Sequence, residues 1–181
     1  RKVDTLLAPH EIMLTRPGQE LDPRTEAALE RAIKAVYDDH ARRRAAGERL
    51  DQSHPLERDL LQYLEQEAQG PELTDAERDI RRALIDTLQP YAGDGRYAPI
   101  TDRPTTVDVE TTLLCFDLDG LPERLYAITM FIIADAMARR ATNTYDRRQV
   151  AERLGRPGDD PGDRHPELLV IDEGWFLARY A

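Results

Sequence analysis

The chain has 181 residues, 40% of them hydrophobic and 33% charged, a composition typical of one soluble domain or one domain with an insertion. Its net charge of −10 disfavours nonspecific nucleic-acid binding, and no apolar run reaches the ~20 residues that a membrane span requires. The single cysteine, Cys115, excludes an internal disulfide, and the four scattered histidines lack the spacing of a zinc site.

The first clear helix signal follows a lead-in segment over residues 1–20. Asp22-Pro23 predicts a helix start, because Asp is a favoured N-cap and Pro suits the first helical position. The helix is expected to run to about Ala46, and Gly47 is placed to end it. One apolar face is formed by Leu29, Ile33, Val36 and Tyr37.

Two further amphipathic helices are predicted before residue 92. One is expected within residues 53–70. The other opens at Thr74, where Glu77 three residues later forms a capping box, and ends at Pro90. Three such helices with short connections are expected to pack as a small bundle, so residues 21–92 are predicted to form a helical insertion subdomain.

Residues 93–181 are predicted to form an α/β part. The pattern of residues 111–118 is typical of a strand, which would bury Cys115, and a helix with apolar residues on more than one face is predicted from Leu121 to about Arg140. After a polar loop, the apolar run 168–171 is typical of a strand buried on both faces. Strand, helix and strand together predict a βαβ unit with parallel strands and a right-handed crossover.

Asp172 and Glu173 directly follow the second predicted strand. Open α/β sheets bind ligands at the carboxyl ends of their strands. An apolar run ending in Asp-Glu is the Walker B arrangement, in which the first acid holds Mg²⁺ and the second polarises the water that attacks the γ-phosphate of ATP. The alternative is that both residues are ordinary acids at a strand end.

Four separated segments of the chain resemble one family. They are the acidic tail Asp172-Glu173-Gly174-Trp175, the segment 116–122 before it, the helix opening at residues 21–37, and the turn Gly95-Arg96-Tyr97. In order and spacing they resemble the VirB4/TraC ATPases of type IV secretion and bacterial conjugation, within the FtsK–HerA group of P-loop motors. The resemblance implies part of a RecA-like P-loop ATPase sheet carrying a helical insertion.

The same resemblance implies a function and a set of site residues. Asp172 would hold Mg²⁺ beside bound ATP, and Glu173 would be the general base. The motor would energise secretion or conjugative transfer, associate with copies of itself and with other secretion components, and lie in the cytoplasm, peripheral at the inner face of the membrane.

One element of the family is missing from the sequence. No segment matches the phosphate-binding pattern G-x-x-x-x-G-K-[ST], and Lys2 and Lys34, the only lysines, lack its glycines. The pattern is expected upstream of Arg1, so these residues alone are expected not to hydrolyse ATP. The alternative function is a non-enzymatic α/β interaction module that docks a partner through its helical bundle.

Overall fold

A computed structural model describes residues 2–16, 18–50, 54–104, 114–153 and 170. Within these ranges the regular elements are six α-helices and one short 3₁₀ helix. The chain divides into two compact units, Arg1–Thr106 (unit 1) and Val107–Ala181 (unit 2).

Unit 1 is built from four longer helices and two short ones. These are α1 (Lys2–Leu14), α2 (Pro23–Ala45), α3 (Glu57–Ala68), α4 (Asp75–Leu88), a 3₁₀ helix (Gln89–Tyr91) and α5 (Ala98–Thr101). Helices α2, α3 and α4 pack against one another, and α1 packs on α2 and α4. Large side chains fully buried in this unit include Met13, Leu29, Leu64, Leu84, Leu88 and Tyr91.

Helix α2 begins and ends where the sequence predicts. The Asp22 carboxylate accepts hydrogen bonds from the backbone N–H groups of Arg24 and Thr25, each at 3.1 Å. Gly47, just past the helix, has a φ of +80°, in the left-handed region that glycine adopts without strain. The predicted first helix is confirmed.

The C-terminal part of α2 extends beyond the core. At 1.5 Å per residue, its 23 residues span about 34 Å, against about 18 Å for the 12 residues of α3. The last buried residue of α2 is Val36, and residues 41–49 are all exposed. At this exposed end Arg43 forms an ion pair with Glu48.

Helices α3 and α4 also lie where they are predicted. At the start of α4, the Glu77 carboxylate accepts a hydrogen bond from the Thr74 backbone N–H at 2.9 Å, while the Thr74 hydroxyl accepts one from the Glu77 N–H at 3.3 Å. This reciprocal pair is the predicted capping box, so the prediction is confirmed. Helix α3 occupies Glu57–Ala68, within the predicted range.

Helix α1 falls in the segment interpreted as a lead-in. Its sequence contains Pro9, which removes one intrahelical hydrogen bond and makes a helix difficult to predict from local signals. Leu7 and Met13 are buried, so tertiary packing supports this helix.

The predicted α/β fold is wrong for the part of the chain that the structure describes, since it contains no β-strand there. The described end of the first predicted strand, residues 114–118, is irregular, and Cys115, predicted to be buried, is exposed. Turn-forming residues bend the chain immediately afterwards. The Asp117 carboxylate accepts a hydrogen bond from the Asp119 N–H at 3.0 Å, and Gly120 has a φ of +79°.

The second predicted strand and its βαβ unit receive no support from the described residues. Of residues 168–171 only Val170 is described, and it is irregular and 77% exposed. An apolar run has strand geometry only when a neighbouring strand pairs with its backbone, and a four-residue run does not specify that partner. The RecA-like sheet expected from the resemblance is therefore not part of the described fold.

In unit 2 the described residues contain one long helix, α6 (Glu123–Arg153). The sequence predicts an end near Arg140, but no glycine or proline lies within the helix to interrupt it. Its buried residues include Leu125, Ala127, Ile128 and Met130. Among the described helices of both units, none has the length and apolar character needed to cross a membrane.

Candidate functional site

The predicted nucleotide-site acids, Asp172 and Glu173, lie outside the described residues, as do Gly174 and Trp175. Their assignment to Mg²⁺ and to the attacking water stays a prediction from sequence. Within the described ranges, no group of three or more His, Cys, Asp or Glu side chains is arranged to hold a metal ion. The charged side chains that the structure does place in buried positions lie in unit 1.

Among the described residues of unit 1, three acidic or basic ones are buried: His10, Arg81 and Asp102. Buried charged groups are stable in proteins only when they are paired and hydrogen-bonded. Each of the three has such partners, and each connects two different elements of the unit.

Asp102 lies at the end of α5 with its side chain completely buried. One carboxylate oxygen accepts a hydrogen bond from the Arg58 backbone N–H at 3.0 Å, and the other accepts one from the Gly93 N–H at 2.8 Å. The Arg58 side chain adds an ion pair, with Nε 2.9 Å from the Asp102 carboxylate. We call this group of three residues the Asp102 clamp.

The Asp102 clamp supplies the acceptor that the N-cap residue of α3 cannot provide, while the Asp59 carboxylate accepts a hydrogen bond from the Leu56 N–H at 2.7 Å. Leu56 occupies the N-cap position and has no side-chain oxygen to accept a hydrogen bond. Asp102, 44 residues later in the sequence, instead satisfies the N–H of Arg58 in the first turn. A carboxylate at this position also interacts favourably with the positive end of the helix macrodipole. The clamp thus fixes α5 against the start of α3.

The turn Gly95-Arg96-Tyr97 requires glycine at its first position. A Cβ atom on Gly95 would lie 2.4 Å from the Gln89 carbonyl oxygen and 2.5 Å from that of Pro90. The Tyr97 N–H donates to the Pro90 carbonyl at 2.8 Å, which closes the loop over Gly95. The backbone therefore approaches itself too closely for any larger residue.

Two tyrosines pack within the same loop. The rings of Tyr91 and Tyr97 are tilted, with centroids 5.2 Å apart, and both residues are buried. The Thr101 hydroxyl donates to the Tyr91 carbonyl at 2.6 Å. On the outer side, the Arg96 guanidinium lies 4.3 Å from the centroid of the Tyr97 ring, a cation–π distance. Residues 89–102 thus form a compact loop closed by the Asp102 clamp.

His10 is the only buried histidine of the described residues. Its Nδ1 lies 2.6 Å from the Leu6 carbonyl oxygen, and its Nε2 lies 3.1 Å from Oε1 of Glu57, the first residue of α3. Burial by itself lowers the pKa of His10. The Glu57 charge and the hydrogen bonds to Glu57 and Leu6 outweigh burial and raise this pKa above its ordinary value.

Arg81 joins α4 to α3. Its Nε lies 2.9 Å from the Glu67 carboxylate, and a second guanidinium nitrogen donates to the Glu77 carbonyl at 2.9 Å. The Arg81 side chain is buried, while that of Glu67 is partly exposed. Nearby, burial and then the Glu67 charge raise the pKa of the Tyr63 phenol.

These three buried polar sites have the geometry of structural connections. The carboxylates of Asp102, Glu57 and Glu67 each lie within hydrogen-bond distance of a donor. Each of the three sites joins separate elements of unit 1. Sequence reasoning missed all three, because their partners are 14 to 47 residues apart in the chain. The sequence predicts the start of α3 near Ser53-His54-Pro55, whereas the helix begins after Leu56, whose side chain has no capping oxygen.

Comparisons with known proteins add no identification to this geometry. No family model, no curated protein and no solved structure matches the chain.

Proposed function

We propose that the chain is part of an ATP-hydrolysing motor that energises type IV secretion or conjugative transfer. The observation that carries the proposal is the acidic pair Asp172-Glu173 directly after the apolar run 168–171, followed by glycine and tryptophan. This pair comes last in an ordered series of segments that resemble the same family.

Two features of unit 1 support this proposal. Residues 23–37, most of the segment that resembles the start of the family's helical insertion, lie in α2 within a packed helical unit. The turn Gly95-Arg96-Tyr97, which resembles the turn after that insertion, depends sterically on its glycine. Both segments therefore have a structural role where the resemblance expects a helical insertion and a glycine-dependent turn.

The chemistry of the acidic pair fits the proposed roles. A carboxylate oxygen such as that of Asp172 is the ligand type that Mg²⁺ prefers. Glu173 would accept a proton from, or orient, the attacking water. Bound Mg²⁺-ATP would supply the phosphoryl group. In this proposal the protein self-associates, contacts other secretion components, and lies in the cytoplasm, peripheral at the inner face of the membrane.

A second candidate is a non-enzymatic module that docks a partner protein through unit 1. The observation that favours it is that the described elements are helices and that His10, Arg81 and Asp102, the buried charged side chains described in unit 1, each join two of its elements. A module of this kind requires no nucleotide, so ATP hydrolysis separates the two candidates.

The test is Mg²⁺-dependent ATP hydrolysis by the intact protein, comparing wild type with Glu173→Gln. Removing a general base is expected to lower kcat by about 10²–10⁴-fold while ATP binding is retained. Glu65→Gln, on the exposed face of α3, makes the same charge change at a residue that is not one of the acidic pair and is expected to leave kcat unchanged. The 181 residues alone are expected to show no turnover.

Unchanged turnover in Glu173→Gln, or no turnover in the intact wild type, would reject the motor proposal and leave the docking module. Turnover by the 181 residues alone would contradict the need for a separate phosphate-binding loop. An equal loss of kcat in Glu65→Gln would show that charge or folding, rather than the acidic pair, is responsible.

A further inference from the structure

We propose that His10 and Glu57 form a pH-sensitive latch that holds α1 to the start of α3, closed in mildly acidic solution and released as the pH rises. The proposal is independent of nucleotide hydrolysis, because it concerns only unit 1. The imidazole ring of His10 lies between the Leu6 carbonyl oxygen and the Glu57 carboxylate.

Both ring nitrogens of His10 face hydrogen-bond acceptors. Nδ1 lies 2.6 Å from a carbonyl oxygen of its own helix, that of Leu6, and Nε2 lies 3.1 Å from a carboxylate oxygen of Glu57. A neutral imidazole carries one N–H and would direct a lone pair at the other oxygen. Only the imidazolium donates to both acceptors, so this geometry favours the protonated form of His10.

Burial makes the loss of this proton costly for docking. His10 is 6% exposed, and the Glu57 side chain is 17% exposed, so water does not easily replace a broken hydrogen bond. Glu57, from α3, is the charged group that acts on the imidazole. Although α2 and α4 also pack on α1, no described charged side chain from either contributes to the electrostatic balance of His10.

The sign of the pH effect follows from the raised pKa of His10. Burial opposes the charged form, but the interactions with Glu57 and Leu6 favour it more strongly. The unfolded chain has the ordinary value of about 6.5. The stabilising contribution is therefore complete below about pH 6.5 and is lost as the pH rises through the higher pKa of the folded protein.

Release would weaken the docking of one helix, α1. Pro9 removes one of its intrahelical hydrogen bonds, and its buried residues Leu7 and Met13 pack within unit 1. When the latch opens, α1 keeps its packing on α2 and α4 but loses one of its connections, so it opens more often and exposes these apolar side chains more often. The latch therefore controls access to part of the apolar core of unit 1.

The experiment is an NMR titration of the full chain, following the His10 ring and the hydrogen exchange of the α1 amides from pH 5.5 to 9. The wild-type ring is expected to titrate above pH 6.5. The protection of α1, corrected for intrinsic exchange, is expected to fall at least tenfold through the same pH range, while that of α4 stays constant. Glu57→Gln keeps an acceptor but removes the charge, so it is expected to lower the pKa of His10 by at least ~1 unit.

Glu65→Gln is the matched control, because it removes one carboxylate from the exposed face of the same helix. It is expected to leave both the His10 titration and the α1 protection as in wild type. A His10 ring that titrates at or below 6.5, or α1 protection that does not follow the titration, would overturn the proposal. The wild-type titration alone decides the proposal, so the proposal stays testable even if a variant fails to fold.

Discussion

Replacing Asp102 by alanine is expected to destabilise unit 1 more than its position near the end of a short helix suggests. The substitution leaves the N–H groups of Arg58 and Gly93 without their acceptor. Each unsatisfied, partly buried donor costs about 1–3 kcal/mol, so at ~1.5 kcal/mol each the expected loss is about 3 kcal/mol. The Arg58 side chain is 54% exposed and regains water, so it adds little.

Two weaker substitutions test the origin of that loss. Asp102→Asn keeps one acceptor oxygen and is expected to cost about half as much, since one of the two backbone donors stays satisfied. Arg58→Ala removes the half-exposed ion pair but keeps the Arg58 backbone donor and the buried carboxylate, so its expected cost is ~1 kcal/mol.

The assay is urea unfolding of the full chain followed by far-UV circular dichroism. The expected result is a lower midpoint with an unchanged slope, because a change in stability alone does not alter the surface exposed on unfolding. A loss in Arg58→Ala as large as that in Asp102→Ala would refute the reasoning, since it would place the stabilisation in the ion pair and not in the cap. No loss in Asp102→Ala would show that α3 needs no acceptor from α5.

Two further substitutions test the local geometry of unit 1 by the same unfolding measurement. Gly95→Ala is expected to cost about 2–3 kcal/mol, because its Cβ would lie 2.4 Å from the Gln89 carbonyl oxygen. Gly93→Ala, with open space around its Cβ and a φ of +57°, is expected to cost ~1 kcal/mol; equal losses would contradict the steric argument. Thr74→Ala is expected to lose ~1 kcal/mol through the capping box of α4. Thr74→Ser keeps the hydroxyl and is expected to lose little, so equal effects would exclude the cap as the cause.

The helices of unit 1 were predictable where a side chain caps its own helix. Asp22 and Thr74 each accept a hydrogen bond from a backbone N–H three residues later, so sequence spacing contains the necessary information. Helix α1 was missed because its stability comes from packing, and Pro9 hides its pattern. The end of α6 was misplaced because Arg140 is followed by polar residues that still continue a helix.

The errors beyond unit 1 have a different physical origin. A short apolar run specifies burial but does not specify a pairing partner, so residues 111–118 looked like a strand although Asp117 and Gly120 belong to a turn. The buried polar sites were unpredictable for a related reason. His10 and Glu57 are 47 residues apart, and Arg58 and Asp102 are 44 apart, so only the packed chain brings them together. The acidic pair Asp172-Glu173 stays a prediction.

The uneven burial along α2 means that one continuous helix has two stabilities. Opening its first half exposes Leu29 and Ile33 and therefore requires the whole unit to unfold. Opening its last turns breaks only the helix's own hydrogen bonds and surface ion pairs, so this end frays while the bundle stays intact. The run Arg42-Arg43-Arg44 lies in the fraying end, which places three sites for a trypsin-like protease on a protein that is otherwise still folded.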